Sequence, residues 1–483
     1  MSEVYDVAVV GAGVVGCLIA RALSRYQLKI LLLDKEADVC CGASKANTAI
    51  VHAGYDPKPG TQKAILNVGG NAMYDQLCTE LGVHFLRCGT YVVAFSDDDV
   101  QTLDDLLKRG QRNGVPGLRI ISREEMIRAE PHINPEVRAA LYTPSGGIVD
   151  PFGLTIAAAE NAVANGVEVR LETEVTGLLR HEGRVKGVVA GTQSFRSHFV
   201  VNAAGVYADE IMRMAGLDGF TIRPRRGEYF VFDREMSPVR SVLFPCPTPV
   251  SKGIVVTTTT HGNTMVGPNA QDIESKEDTR VTAEGLDEVL HGAQRLVPSL
   301  DPRAVIRVFA GLRAVGSTGD FLIEAAREAP GLINVAGIES PGLSAAPAIA
   351  ERVVEILREE GLALYPKSDY NPIRVPPPDF SELSHRERAA LIATDPRYGR
   401  IVCRCETVTE GEIVAAIHGL VPARNYDAIK RRTRCGSGRC QGGFDTPRVL
   451  EILARELGCP ATKVTLNGPG SELVVRGTKE VDH

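Results

Sequence analysis

Four of the eleven cysteines fall into one pattern: Cys403, Cys405, Cys435 and Cys440, which is C-x-C, 29 intervening residues, then C-x4-C. Thiolates gathered at such spacing hold a metal ion or an iron–sulfur cluster. At the other end of the chain, Gly11, Gly13 and Gly16 fit G-x-G-x-x-G. The first glycine of that pattern permits a tight turn, the second lets the backbone approach a pyrophosphate, and the third lets helix and strand pack closely. The following helix offers unpaired N–H groups and a partial positive charge to phosphates. Asp34 stands 18 residues after Gly16, where a carboxylate can accept from ribose hydroxyls. A chain with both features can take electrons in pairs at one end and move them singly at the other.

These residues need particular elements to position them. Val4–Val10 is a short apolar run, the pattern of a buried parallel strand. Residues 14–26 have helical spacing, with Val15, Ile19, Ala22 and Leu23 on one face, and 29–34 read as the next strand. The result is a βαβ unit with the glycines at its first turn. Further strands are expected at 167–171, Arg184–Ala190 and 199–203, with a helix over 152–165 stopped by Gly166. Residues 226–232, 254–259 and Thr264–Gly267 carry the Thr and aromatic content of antiparallel strands, a second layer inserted into the nucleotide domain. Leu332–Ala336 and then 341–357 return to strand, turn and helix. Residues 366–380 hold five prolines, the composition of a stiff, extended linker. Beyond it, Thr409 and Glu412 form a capping-box pattern, and Thr446-Pro447 opens another helix. Both cysteine pairs therefore lie in loops beside short helices.

The length of 483 residues suits about three domains. The formal net charge of -6 argues against a nucleic-acid binder by bulk charge. No run reaches the roughly 18 apolar residues of a transmembrane helix. The opening MSEVYDVAVV lacks the basic region of a signal peptide. The expected compartment is the cytoplasm, with a peripheral position at the inner face of the cell membrane as a second placement. Cys17, Cys40, Cys41, Cys78, Cys88, Cys246 and Cys459 read as packing residues.

The glycine turn does not separate NAD from FAD. Three later stretches bear on that: CGASKANTAIVHAG (41–54), VVNAAGVYAD (200–209) and GIESPGLSAAPAIAERV (337–353). They resemble the flavin contacts of the D-amino-acid-oxidase-like FAD oxidoreductases. With RRGEYFVF, FPCPTPVSKGIVVTTTTHGNTMVGPNA and FAGLRA, residues 1–365 resemble the FAD-dependent glycerol-3-phosphate dehydrogenases and oxidases. The chain departs from that pattern at Lys45, often His there, and at Thr48-Ala49, often Ser-Gly.

The resemblance implies an α/β plus α+β architecture. It consists of a Rossmann-like FAD domain with an inserted antiparallel substrate domain (roughly 76–145 and 220–305). It implies an FAD site, without a covalent tether, at Gly11, Gly13, Gly16, Asp34, Lys35, Ser44, Lys45, Asn47, Thr48, Val175, Ala204, Gly205, Gly311, Gly342, Leu343 and Ser344. His52 is the implied base, since oxidising a secondary alcohol sends hydride to flavin N5 while the hydroxyl loses a proton. Its bland alternative is a hydrogen-bonded core histidine. Thr48, Lys252, Arg313 and Ser340 are the implied substrate residues. Lys252 could instead be a solvated turn residue, Arg313 a buried pair with a carboxylate, and Ser340 a helix N-cap.

The cysteine segments VCRCETVTEGEIVAAI and RTRCGSGRCQGGF resemble the bacterioferritin-associated-ferredoxin-like [2Fe–2S] domain. The alternatives are structural zinc, for which C-x-C is tight, or a vacant or disulfide-closed site. The expected layout is 1–365 oxidoreductase, 366–394 linker, 395–460 a small α-rich [2Fe–2S] domain and 461–483 tail. The expected activity is oxidation of glycerol 3-phosphate to dihydroxyacetone phosphate, with electrons leaving through the cluster or directly to a partner protein or quinone. A subunit of a hetero-oligomer is one form this could take. The rivals are an L-2-hydroxyglutarate, other 2-hydroxyacid or amino-acid dehydrogenase, and a redox-sensing subunit that does not turn over.

Overall fold

A computed structural model of the chain describes residues 4–247, 253–477 and 479. The first sheet runs in parallel through Glu168–Arg170, Ile30–Leu33, Val4–Val10, Gln193–Asn202 and Leu332–Ala336. Leu322–Ala325 adds antiparallel at one edge, and Arg184–Ala190 with Gly177–His181 forms an antiparallel flap on the first half of Gln193–Asn202. The central strands Val4–Val10, Ile30–Leu33 and Leu332–Ala336 are mainly apolar because both faces are covered. On one face lie the helices Val14–Leu23, Pro151–Ala164 and Gly342–Glu359, which bury Ile19, Leu23, Ala158 and Val353 against Val7, Val9 and Leu32. Truncating one such leucine to alanine costs about 2–5 kcal/mol.

The expected βαβ unit forms, with shorter boundaries. The first helix stops at Leu23 rather than at 26, because Tyr26 leaves the helix and bridges to Pro366. Gly11 takes φ +106°, and a Cβ on Gly16 would meet the Gly11 carbonyl oxygen at 1.8 Å. These are the tight turn and the close helix–strand approach that the motif requires.

The second sheet is mostly antiparallel, the pair Val242–Pro245 with Thr90–Ala94 being parallel. Its long central pair, Ile222–Phe232 with Val305–Gly316, puts Arg225 opposite Arg313 and Gly227 opposite Gly311. That register sets Gly311 against the Ala46 carbonyl oxygen in the loop after Ile30–Leu33.

The proline-rich stretch is extended but bound to the first domain. Arg374 Nε donates to Glu160 at 2.6 Å, and the Asn371 carbonyl accepts from Asn161 and Asn165. Residues His385–Thr394, expected as linker, form a helix opened by a Ser384–Glu387 capping box. The C-terminal unit packs helices Glu410–Ile417, Tyr426–Thr433 and Thr446–Leu457 around Ile413, Ile429 and Ile452, with Val464 of the following segment in the same core. The Thr409–Glu412 capping box is present, and Pro447 sits in the first turn of its helix. Among the described residues no helix is long and apolar enough to cross a membrane.

Candidate active site

The end of the glycine turn, the loop after Ile30–Leu33 and the long strand pair of the second sheet enclose one cavity of about 1030 Å³. Gly11, Gly13, Asp34, Lys35, Ser44, Lys45, Asn47, Thr48, Val175, Ala204, Gly205, Gly311, Gly342 and Leu343 line it, as do His52, Arg313 and Ser340. These positions come from stretches far apart in the chain.

Local contacts explain how. The Asp34 carboxylate accepts from Ala12 N at 2.6 Å and Glu36 N at 2.9 Å, and burial raises its pKa. Ser44 Oγ accepts from Val14 N at 2.9 Å, which ties the 43–48 loop to the start of the glycine-turn helix. A Cβ on Gly311 would lie 2.3 Å from the Ala46 carbonyl oxygen, so only glycine lets the long strand touch that loop. Lys35 Nζ lies 3.8 Å over the Tyr207 ring. The helix Gly342–Glu359 points its N-terminal turn at the cavity with no side-chain cap, leaving N–H groups for a ligand. Ser340 is therefore not its N-cap; Pro341 holds that position. A glycine-lined turn, an acid at the ribose position and a free helix N-terminus in one cavity fit a flavin dinucleotide.

His52 follows the short strand Ile50–Val51. Its N–H donates to Ser344 Oγ at 2.7 Å and its carbonyl accepts from Asn71 Nδ2 at 3.0 Å. The ring faces Phe244 at 5.5 Å between centroids. Its backbone is thus fixed on both sides. Ser344, expected at the cofactor, is buried behind the cavity wall instead and bonds the backbone at His52 and Ile50. Asn71, which the sequence reading missed, is held by Arg87 at 3.1 Å.

Arg313 is the most telling side chain. Its Nη2 donates to the Asn269 carbonyl at 2.6 Å and the Arg226 carbonyl at 3.1 Å, and Nε to the Arg225 carbonyl at 3.4 Å. Among the described residues no carboxylate pairs with it, and burial lowers its pKa. The alternative of a carboxylate-paired arginine is not what the structure contains. A desolvated cation without a counter-ion is costly unless the site receives an anion. Arg225, by contrast, is paired with Asp272 at 2.6 Å, and Arg226 is turned away toward Gln271 and Asp278. Lys63, paired with Glu339 at 2.7 Å, and Lys276, paired with Asp209 and Glu210, also line the cavity; no motif pointed to them. Lys252 lies outside the described residues.

The four cysteines of the C-terminal unit come together. Cys403 Sγ and Cys405 Sγ are 3.7 Å apart, and Cys405 Sγ and Cys440 Sγ 3.5 Å. Cys403, Cys435 and the Asp445 carboxylate lie within 4.8 Å of one another. A hydrogen bond from Cys435 holds the Cys403 thiol down at about 7, and the same contact pushes Cys435 up. A Cβ on Gly438 would lie 2.5 Å from Cys405 Sγ, so the loop backbone is pressed onto the sulfurs. Four converging thiols under a glycine loop fit a [2Fe–2S] cluster. All eleven cysteines are free of disulfides.

A flavin-shaped cavity on this two-sheet architecture defines the class. The chain belongs to the FAD dependent oxidoreductase family, which it matches over residues 6–356, and residues 401–455 match the BFD-like [2Fe-2S] binding domain. It is 48% identical over 476 residues to the glycerol 3-phosphate dehydrogenase of Caloramator mitchellensis, covering 98% of this chain and 99% of that protein. It is 34% identical to the glycerol 3-phosphate oxidase of Mycoplasma pneumoniae, over 74% of this chain and 95% of that one. The FAD-bound, dithionite-reduced structure of L-alpha-glycerophosphate oxidase from M. pneumoniae superposes with a TM-score of 0.74 at 32% identity, covering 78% of this chain and 99% of that chain.

Proposed function

We propose that this chain oxidises glycerol 3-phosphate to dihydroxyacetone phosphate in the 1030 Å³ cavity. The observation that carries the reading is Arg313, a half-buried guanidinium on the cavity wall with no carboxylate paired to it among the described residues. A phosphate is the anion that such a fork holds best. The printed activities of the relatives in Caloramator mitchellensis and Mycoplasma pneumoniae support the same substrate.

The glycine turn, the 43–48 loop and the Gly342–Glu359 helix end would hold FAD, which would supply a hydride acceptor for the carbinol carbon. The protein does the rest. Arg313 fixes the phosphate end, with Lys252 proposed as a second cation. Thr48 and Ser340 offer hydroxyls to the substrate's polar edge. His52 takes the hydroxyl proton, and its backbone bonds to Ser344 and Asn71 limit the ring to motion about its own side-chain torsions. An imidazole suits that proton transfer near neutral pH.

The reading extends to a cytoplasmic enzyme of glycerol metabolism. Its electrons leave through the cysteine centre at Cys403, Cys405, Cys435 and Cys440, or directly to a partner protein or quinone. The proposed domain limits are 1–365, 395–460 and 461–483, with 366–394 between the first two.

Turnover with an artificial acceptor tests the reading. Glycerol 3-phosphate should be used far better than glycerol or L-2-hydroxyglutarate, with one dihydroxyacetone phosphate formed per two electrons. Preference for the hydroxyacid would overturn it.

A further inference from the structure

One carboxylate joins the two redox regions. Asp38 lies four residues beyond Asp34 and three before Cys41, which lines the cavity. The Cys40 N–H, in the same loop, donates to the Ala12 carbonyl at 3.0 Å, which ties that loop to the glycine turn. Across the seam, Arg432 grips Asp38 with both nitrogens of its fork, at 2.8 Å each, and Arg431 adds a third bond at 2.7 Å. Both arginines sit in the last turn of the helix Tyr426–Thr433, whose final residue stands two before Cys435. Arg432 also donates to the Val421 carbonyl at 3.0 Å, and Val421 itself is buried in the core of the flavin domain.

Burial separates this contact from the others at the seam. The Asp38 side chain is 1% exposed, and those of Arg431 and Arg432 6% each. Arg439, which reaches Asp233 and Glu235, is 50% exposed, and Arg234, which reaches Glu406 and the Cys405 carbonyl, 49%. Exposed pairs of that kind hold little. The buried three-way pair is what fixes the helix leading into Cys435 against the loop leading into Ser44.

We propose that Asp38 is a positioning residue for electron passage: it sets the separation and orientation of the cysteine centre relative to the flavin cavity. This rests on the reading that electrons leave the cavity through that centre. Each substrate oxidised leaves two electrons. A [2Fe–2S] cluster accepts one at a time, so a one-electron acceptor must reoxidise it in between, and two equivalents of that acceptor are reduced per substrate. Removing the Asp38 charge leaves two guanidinium groups side by side in a buried seam, where their repulsion pushes the helix away. Electron passage between two centres slows as their separation grows, so a seam pushed apart slows it.

The test uses the full-length protein with both cofactors bound. Wild type, Asp38→Asn and Asp38→Glu are compared for FAD and iron per chain. Turnover is measured with a dye that takes electrons directly from flavin, and so is the rapid-mixing rate at which glycerol 3-phosphate reduces the cluster, read by its electron paramagnetic resonance. Asp38→Asn should keep FAD, iron and dye turnover while cluster reduction slows several-fold, and Asp38→Glu should recover most of the rate. A lesion in general folding would lower dye turnover as well. If Asp38→Asn fails to hold its cofactors, Arg432→Gln carries the same comparison, since Arg431 still pairs with Asp38. Cluster reduction at the wild-type rate in these variants overturns the proposal alone. A wild-type cluster that substrate never reduces overturns the underlying reading, and the proposal with it.

Discussion

The cavity and the cysteine centre are assembled on opposite plans. The cavity takes its wall from stretches scattered between Val10 and Leu343 and presents backbone groups, hydroxyls and the Arg313 guanidinium, which has no carboxylate paired to it among the described residues. The centre takes its sulfurs from the end of the short strand Ile401–Cys403, the turn after it and the 435–440 loop, and those sulfurs already lie against one another. The first is a mould whose shape is set by two sheets and a helix end. The second is a knot of ligands whose surroundings depend on what the sulfurs hold. Damage to one should therefore leave the other's cofactor in place.

The largest expected effect is at the centre. Cys403→Ser or Cys440→Ser should remove the cluster, taking iron from about two per chain to none, while FAD stays bound. Metal analysis and the visible spectrum check this. One zinc and no iron in the wild type would contradict the assignment of the centre.

Next comes the base. His52→Ala should lower kcat by ~10²–10⁴ with FAD content unchanged. The wild-type rate should rise with pH as the imidazole becomes neutral, and the variant should lose that limb. A variant with near-normal kcat, or one that merely loses FAD, would make His52 a packing or cofactor residue.

A smaller, more selective loss is expected at Arg313. Losing a charged hydrogen bond costs about 1.5–3 kcal/mol, or roughly 10- to 150-fold in kcat/KM. Arg313→Met should show that loss for glycerol 3-phosphate and little of it for glycerol. Equal losses on both substrates would mean that Arg313 only holds the carbonyls of Arg225, Arg226 and Asn269 together.

The smallest effect lies at the seam between the two regions. Burial, reinforced by Arg434, His84 and Arg234, lowers His261 to about 3. The unfolded chain, with an imidazole near 6.5, binds that proton more readily. Stability is thus intact above about pH 6.5 and is lost as pH falls toward about 3, by ~1.4 kcal/mol per pH unit from this one group. His261→Asn should flatten the fall of the thermal midpoint between about pH 7 and pH 5 by one proton's worth. Parallel curves for variant and wild type would show that His261 titrates normally.

The same contrast explains what could be read in advance. Strands buried over most of their length, such as Val4–Val10 and Leu332–Ala336, stand out as apolar runs broken once each, by Asp6 and Asn334. Gln193–Asn202 begins six residues earlier than expected because its first half is a polar edge paired to Arg184–Ala190, with no apolar signal of its own. The helix Gln62–Leu81 was not foreseen, since its buried face includes Asn67, Gly70 and Asn71. The Ser384–Glu387 capping box follows the prolines and opens a helix with no buried residue, so no apolar face marks it. At the site, glycines and cysteines announce themselves by local spacing. Ser344 anchoring His52 and Arg431 gripping Asp38 join residues 292 and 393 positions apart, and no local pattern encodes such pairs.

The central claim is that the cavity reads a phosphate and delivers the substrate's electrons to flavin. Anaerobic titration of the purified protein with glycerol 3-phosphate, following flavin absorbance, tests it most directly. The account predicts bleaching of the flavin with formation of dihydroxyacetone phosphate, and no bleaching by glycerol at equal concentration. Flavin that stays oxidised with glycerol 3-phosphate but bleaches with L-2-hydroxyglutarate would contradict it.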